Sequence, residues 1–334
     1  MMWLSCDKNN NGISIRKTGG FTIVELLVAM AISLIVMAGI FSTFKSQQDS
    51  YVVQSQVSVT QQNLRAALFM ITRDIQMAGY YTDMVPGTYP FQAPGEVLDG
   101  VTIRPLMYSR NDVSGITGVK DNTDILVIIK GNDTWRELTA GEYATPGDSS
   151  AAYLNLNNLN DIDLSYVGAS NHNKFGFLAK KDLNRAEIFE VDSGNNLVFP
   201  DGLIDNYSEE DIVGKVDVII YKVDNSDPNR PTLKRKNLGT DTDYNIIAED
   251  VDNLQFSYIL NDGSEIFNLD TLSNIPKVRA VKVFILARTD NPIRGYTDPN
   301  TYQMGSYAVP SADTNDGHMR RILSATVNAR NIGL

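Results

Sequence analysis

Cysteine is almost missing from this 334-residue chain: Cys6 is the only one, so no internal disulfide can close. No apolar run precedes Leu4-Ser5-Cys6, which excludes a lipidation signal there. Histidine is nearly as scarce. His172 and His318 both lie in polar, loop-like sequence and read as surface residues rather than ligands or bases. The chain has no HExxH, GxSxG, Walker loop or GxGxxG, so nothing in it points to an enzyme. Positive charge is short as well, with 29 basic against 40 acidic residues and a net charge of -11. Nucleic acid is therefore not an expected partner, because phosphate binding needs a basic footprint. Two short basic clusters, Lys234-Arg235-Lys236 and Arg320-Arg321, read as strand-edge or solvated-face residues. Proline is absent between Phe21 and Pro86, which leaves that whole stretch free to be helical.

What the sequence does have is one long apolar run. From Phe21 to Phe44 the only charge is Glu25, and Lys45 ends the run. At about 1.5 Å per helical residue the run spans roughly 36 Å, enough to cross a bilayer with some tilt. Arg16 and Lys17 precede it, so the positive-inside rule predicts a cytoplasmic N-terminus and passage of the residues after about 45 to the other side. A carboxylate in lipid is costly and is rarely there without a reason. A cleaved secretory signal or a plain signal anchor would explain the run, but neither explains Gly20 or Glu25.

Gly20-Phe21-Thr22-x-x-Glu25 followed by the apolar run resembles the prepilin cleavage and methylation motif of type IV pilins and type II secretion pseudopilins. The resemblance implies a leader over 1–20, cut by a prepilin peptidase after Gly20, with methylation of the new N-terminal Phe21. It also implies that Glu25 pairs with the amino terminus of a neighbouring subunit during assembly. Loss of the leader would remove Cys6 and change the net charge to -13.

After Lys45 the helical pattern continues but becomes amphipathic. Val53, Val57, Leu64, Leu68, Ile71, Ile75 and Ala78 recur at helical spacing, with Thr60 and Gln61 as a polar gap. Gly79 is the expected terminator, giving one helix of about 59 residues, roughly 88 Å long. Gly39 and Ser42 are expected to loosen it. The second half reads as docked on a sheet rather than as an isolated coiled coil, with Arg73 and Asp74 on a solvated face.

Beyond Gly79 short strands alternate with Gly, Asn, Asp and Pro clusters. Strands are expected over 101–108, 123–130, 174–179, 186–192, 212–223, 250–260, 277–288 and 320–329. Asp262-Gly263 reads as a hairpin turn. Val278 to Ala287 reads as a strand buried on both faces, and the last strand as buried on one. Segments 80–100 and 290–318 read as loop-rich. Asp224 to Asn229, Asp241 to Asp243 and Asp313 to Gly317 hold the oxygen ligands calcium prefers, without EF-hand spacing. No other cofactor is expected.

The helix end from Asn63 to Tyr80, Asp250 to Tyr258, Ile275-Pro276 and Ala329-Arg330-Asn331 are similar to PilW-type minor pilins and J-type pseudopilins. The expected fold is α+β: leader 1–20, transmembrane half-helix 21–44, amphipathic half-helix 45–79 and a β-rich head over 80–334. The resemblance implies a minor pilin of the type IV pilus, acting in initiation, assembly or at the fibre tip. Its partners would be other minor and major pilins, the prepilin peptidase, the inner-membrane assembly platform and membrane lipid. A J-type pseudopilin of a type II secretion system is the alternative. From other classes, a tip adhesin would use Tyr80-Tyr81, Tyr89-Pro90-Phe91 and Trp135, and a membrane-anchored enzyme also stays open.

Overall fold

The computed structural model describes residues 20–80, 89–90, 102–103, 107–113, 118–146, 152–156, 164, 174–182, 185–191, 197–199, 203–238, 240–269 and 277–332. Helix α1 runs over Ile23–Met77. The strands that follow are β1 (Tyr89–Pro90), β2 (Thr102–Ile103), β3 (Met107–Val113), β4 (Thr123–Glu137), β5 (Tyr143–Pro146) and β6 (Ala152–Asn155). Next come β7 (Lys174–Ala179), β8 (Ala186–Val191), β9 (Leu197–Val198), β10 (Ile212–Asp224), β11 (Thr232–Asn237) and β12 (Asn245–Glu249). The chain ends with β13 (Val251–Leu260), β14 (Glu265–Ile266), β15 (Val278–Arg288), β16 (Tyr302–Met304), β17 (Tyr307–Val309), α2 (Ser311–Thr314) and β18 (Arg320–Asn328). Its internal packing divides the chain into two units, Met1–Gln54 and Ser55–Leu334.

The first unit is helical from Ile23 onward and passes Gly39 and Ser42 without a break. Thr43 bonds back to the Gly39 carbonyl at 3.0 Å, and neither glycine nor serine interrupts the ladder. Its apolar side chains are exposed, Phe21 at 89% and Ile35 at 73%, and the helix is long and apolar enough to cross a membrane.

In the second unit α1 continues to Met77 and buries Thr60, Leu64, Ala67, Ile71, Asp74 and Ile75 along one stripe. Gly79 ends the helix at φ +80°, a value that favours glycine. Its N–H donates to the Ile129 carbonyl at 3.0 Å, so the terminator also stitches the helix end to β4. The stripe packs with two antiparallel sheets. The larger has the order β12-β11-β10-β7-β8-β9, with β4 along the opposite edge of β10 and β3 on β4. The smaller has the order β14-β13-β15-β18. Leu126, Ile128, Ile219, Tyr221 and Val223 of the first and Leu254, Phe256, Val281, Val283 and Ile285 of the second close over the stripe in one core. Burying a residue such as Leu64, Ile71 or Ile75 contributes about 1.5–3 kcal/mol, so this helix half is held by packing. Asp124 joins the two sheets by accepting from the Phe256 N–H at 2.8 Å.

Several expectations need correction. Thr60 is no gap: it is buried, and its hydroxyl donates to the Gln56 carbonyl at 2.9 Å and the Arg288 carbonyl at 3.4 Å. The 277–288 strand is not buried on both faces throughout. Val281, Val283 and Ile285 face the main core, while on the other side Arg279 is exposed and Lys282 half-exposed. Toward its end that side is covered, where Leu286 packs on Met304 and Val309 of the β16–β17 hairpin. That hairpin and α2 lie within 290–318, which reads from the sequence as loop-rich, with no element singled out. β11 was missed because its three consecutive charges hid a strand. The 262–263 turn forms as expected, with Gly263 at φ +83° and the Asp262 carboxylate accepting from the Ser264 N–H.

Candidate functional site

Four sites deserve a geometric account, beginning with the head of α1. Gly20 and Phe21 precede the first helical turn and are exposed. Among the described residues a Cβ on Gly20 would meet nothing within 4 Å, and its backbone is not left-handed. Neither packing nor conformation therefore asks for glycine here. Thr22 and Glu25 form a reciprocal cap. Glu25 Oε2 accepts from the Thr22 N–H at 2.9 Å and from its hydroxyl at 3.0 Å, and the Glu25 N–H donates to Thr22 Oγ1 at 3.2 Å. This is the capping-box pattern Thr-x-x-Glu, which satisfies two of the amide groups a helix start leaves free. The sequence reading took Glu25 only as a charge waiting for a partner. In the single chain one of its oxygens is already engaged.

The second site is Asp74, which the sequence placed on a solvated face. It is buried instead, and three adjacent strands converge on it. Lys130 of β4 reaches Oδ1 at 3.1 Å, while Tyr221 of β10 donates to Oδ2 at 2.5 Å and Arg235 of β11 at 3.0 Å. Arg235, read as an edge residue, is thus half of a helix-to-sheet ion pair. Burial pushes the Asp74 carboxyl up, but the Tyr221 hydrogen bond and the Lys130 and Arg235 charges outweigh it and hold it below the usual range. Burial and the nearby Asp74 push the Tyr221 hydroxyl up. A depressed carboxyl contributes stability above its unfolded value of about 4, which is lost as pH falls through the folded value. Asp74→Asn is expected to lower stability at pH 7 by about 3 kcal/mol by leaving Lys130 and Arg235 without their carboxylate. It should also flatten the fall in melting temperature below about pH 4. A thermal melt series from pH 3 to 7 checks both, and an unchanged acid limb would show that Asp74 carries none of it.

Arg320 is the third site and the clearest correction. Its side chain is 1% exposed. Nε donates to Asp252 at 2.7 Å, and the two terminal nitrogens grip Asp316 at 2.7 Å each. The Thr314 carbonyl accepts at 3.0 Å, and Asp298 lies 3.6 Å away. Asp252 is shared with Lys120 at 3.1 Å and Arg288 at 3.5 Å. The Asp313 to Gly317 loop, read as possible calcium ligands, thus wraps an internal guanidinium. Burial raises the Asp316 carboxyl, but the hydrogen bonds from Arg320 and from the His318 N–H, with the Arg320 charge, together more than reverse this, so it lies below its ordinary value.

The remaining acidic loops are engaged in the same way. Asp224 accepts from the Ser226 N–H and pairs with Lys234 at 3.3 Å. Asp241 accepts from the Asn237 N–H at 2.8 Å and from Asn245 at 3.2 Å. Among the described residues no three His, Cys, Asp or Glu side chains converge to hold a metal ion. His318 is half-buried with Nδ1 2.6 Å from the Thr289 carbonyl, and His172 lies outside the described residues.

The fourth group is the aromatics. Trp135 is on β4 rather than in a loop and is 43% exposed. Tyr80 is half-buried in the turn after α1. Tyr81 and Phe91, and the side chains of Tyr89 and Pro90, lie outside the described residues.

Comparison with known proteins adds two matches in sequence. Residues 15–41 match the Prokaryotic N-terminal methylation motif, and residues 220–331 match the Type IV Pilus-assembly protein W family. The first covers Gly20, Phe21 and the Thr22–Glu25 cap. The second runs from the end of β10 to the end of β18 and contains both Arg235 and Arg320. No curated protein matches the chain. Among solved structures, a type IV-like pilin from Thermus thermophilus covers 82% of this chain and 97% of its own, at 13% identity and a TM-score of 0.35. That score is too low to carry an argument.

Proposed function

We propose that this type IV pilin-like protein, with its PilW region and N-terminal methylation motif, works as a minor pilin in initiation, assembly or at the tip of a type IV pilus. The observation that carries the reading is a coincidence of two features in one chain. The methylation motif stands at the head of an exposed apolar helix, and the PilW match covers the β14-β13-β15-β18 sheet that helps bury that helix's second half. In this reading prepilin peptidase cuts after Gly20 and methylates Phe21. Among the described residues nothing demands glycine at Gly20, which supports selection by the peptidase instead. Arg16 and Lys17 hold the N-terminus in the cytoplasm, and the β-rich unit reaches the far side of the inner membrane.

Glu25 has two tasks here. Oε2 closes the helix start through Thr22, and the carboxylate charge attracts the amino terminus of a neighbouring subunit in apolar surroundings. A charge matched only by a neighbour favours assembled over isolated subunits. The work of the chain is then assembly with major and minor pilins on the membrane platform, and no catalytic step is assigned to it.

The test is a deletion strain complemented with the full chain. Loss of surface pili that the chain restores, with protein secretion unchanged, is the expected outcome. Loss of secretion with normal piliation would assign the chain to a type II pseudopilus instead.

A further inference from the structure

The last strand, β18, is paired on one side only. Its register with β15 is unbroken over nine residue pairs, from Ala280 opposite Asn328 to Arg288 opposite Arg320. Among the described residues no strand pairs with its other side. The Ala329 N–H donates to the Arg279 carbonyl, which fixes the phase of the ladder. By the two-residue alternation of an antiparallel pair, Arg321, Leu323, Ala325 and Val327 turn their backbone groups to β15. Ile322, Ser324, Thr326 and Asn328 therefore turn theirs outward. The Arg288 N–H agrees from the other side of β15: it bonds to the Asp250 carbonyl, away from β18.

Free edges of this length are usually guarded by an inner lysine, a proline, a bulge or a covering segment. Between Ile322 and Ala329 there is no charge, no proline and no glycine. Instead, exposed Arg321 and Arg330 flank the strand. The side chains of Ile322, Ser324, Thr326 and Asn328 are exposed too, so the surface beside the edge is open.

We infer that the free edge of β18 is a docking site for an extended strand of a different protein chain, one with an acidic residue near each end. Backbone pairing supplies the attachment, as in strand addition to other open sheets, and the two arginines select the partner. A second copy of this chain does not fit. Antiparallel self-pairing sets the Arg321 end of one copy against the Arg330 end of the other, which gathers like charge at both ends of the ladder. The inference rests on the edge itself and stands whether or not the chain is a minor pilin.

The test uses the full chain in detergent and a synthetic probe of alternating valine and threonine, flanked by glutamate or by lysine. Hydrogen exchange is read at the amides of Ile322, Ser324, Thr326 and Asn328. Without probe all four should exchange freely. The glutamate-flanked peptide should slow them by about tenfold or more while the inward amides stay as they were, and the lysine-flanked peptide should do less. Ser324→Pro removes one outward donor and leaves the β15 ladder whole, so protection should vanish at an unchanged melting temperature. Should that variant unfold, Arg321→Glu with Arg330→Glu replaces it and should reverse the preference between the two peptides. Protection already present without peptide, equal response to both peptides, or no response to either overturns the inference. So does a disulfide-linked dimer formed by Thr326→Cys in a Cys6→Ser background, since that would make the partner a second copy.

Discussion

Arg320→Leu is expected to melt about 10 °C below the parent chain, the largest stability loss of any single substitution considered. The leucine removes the guanidinium shared by Asp252, Asp298 and Asp316, and of these three, among the described residues, only Asp252 keeps other cations, Lys120 and Arg288. Breaking a buried pair by removing one partner costs about 3–5 kcal/mol, and each kcal/mol shifts the melting point of a domain this size by about 2–4 °C. Arg320→Lys should recover only part of the loss. A lysine supplies one point charge, whereas the guanidinium serves Asp252 through Nε while gripping Asp316 with two parallel bonds. Thermal melts of the three full-length proteins check this. Equal melting points for Arg320→Lys and the parent would show that charge alone, and not the planar fork, holds the loop.

Substitution of Glu25 is expected to have the largest effect on assembly. Glu25→Ala should leave membrane insertion intact but reduce incorporation into fibres by about an order of magnitude or more, because the proposed pairing with a neighbour's amino terminus would be gone. The capping box supplies a sharper control. Glutamine at the same position preserves the Thr-x-x-Gln cap while removing the charge. Charge pairing predicts that Glu25→Gln fails as fully as Glu25→Ala. Normal incorporation of the glutamine variant would move the role of Glu25 from subunit pairing to closure of the helix start. Quantitative blots of membrane and sheared-fibre fractions separate the two.

The parts legible in the sequence are those that local pattern controls. Gly79 ends the helix because only a residue at ease at positive φ can, and the apolar alternation after Asp250 marks β13 to within a residue. Lys174–Ala179 forms over the expected span. The motif at Gly20 to Glu25 was equally visible, since its chemistry is written in consecutive residues. The cap between Thr22 and Glu25 was also readable from its Thr-x-x-Glu spacing, and was passed over because the carboxylate was seen only as a charge in lipid.

What was not legible depends on partners far along the chain. Asp74 meets Arg235 across 161 residues, Thr60 meets the Arg288 carbonyl across 228, and Arg320 meets Asp252 across 68. A charged residue taken alone is best read as solvated, so Lys234-Arg235-Lys236 and Arg320-Arg321 were assigned to the surface. Burial reverses that reading only when the opposite charge is brought to the same place by the fold. The acidic loop at Asp313 to Gly317 misled for the same reason. Its oxygens suit a cation, and the cation is a guanidinium of the chain itself.

The central claim is that the chain is processed as a prepilin, and the N-terminal mass of the protein purified from membranes tests it most directly. The comparison is between cells with and without prepilin peptidase. A chain beginning at N-methylated Phe21 only when the peptidase is present is the result the account predicts. A chain beginning at Met1 or Met2 in both would contradict it and make the apolar helix a plain signal anchor.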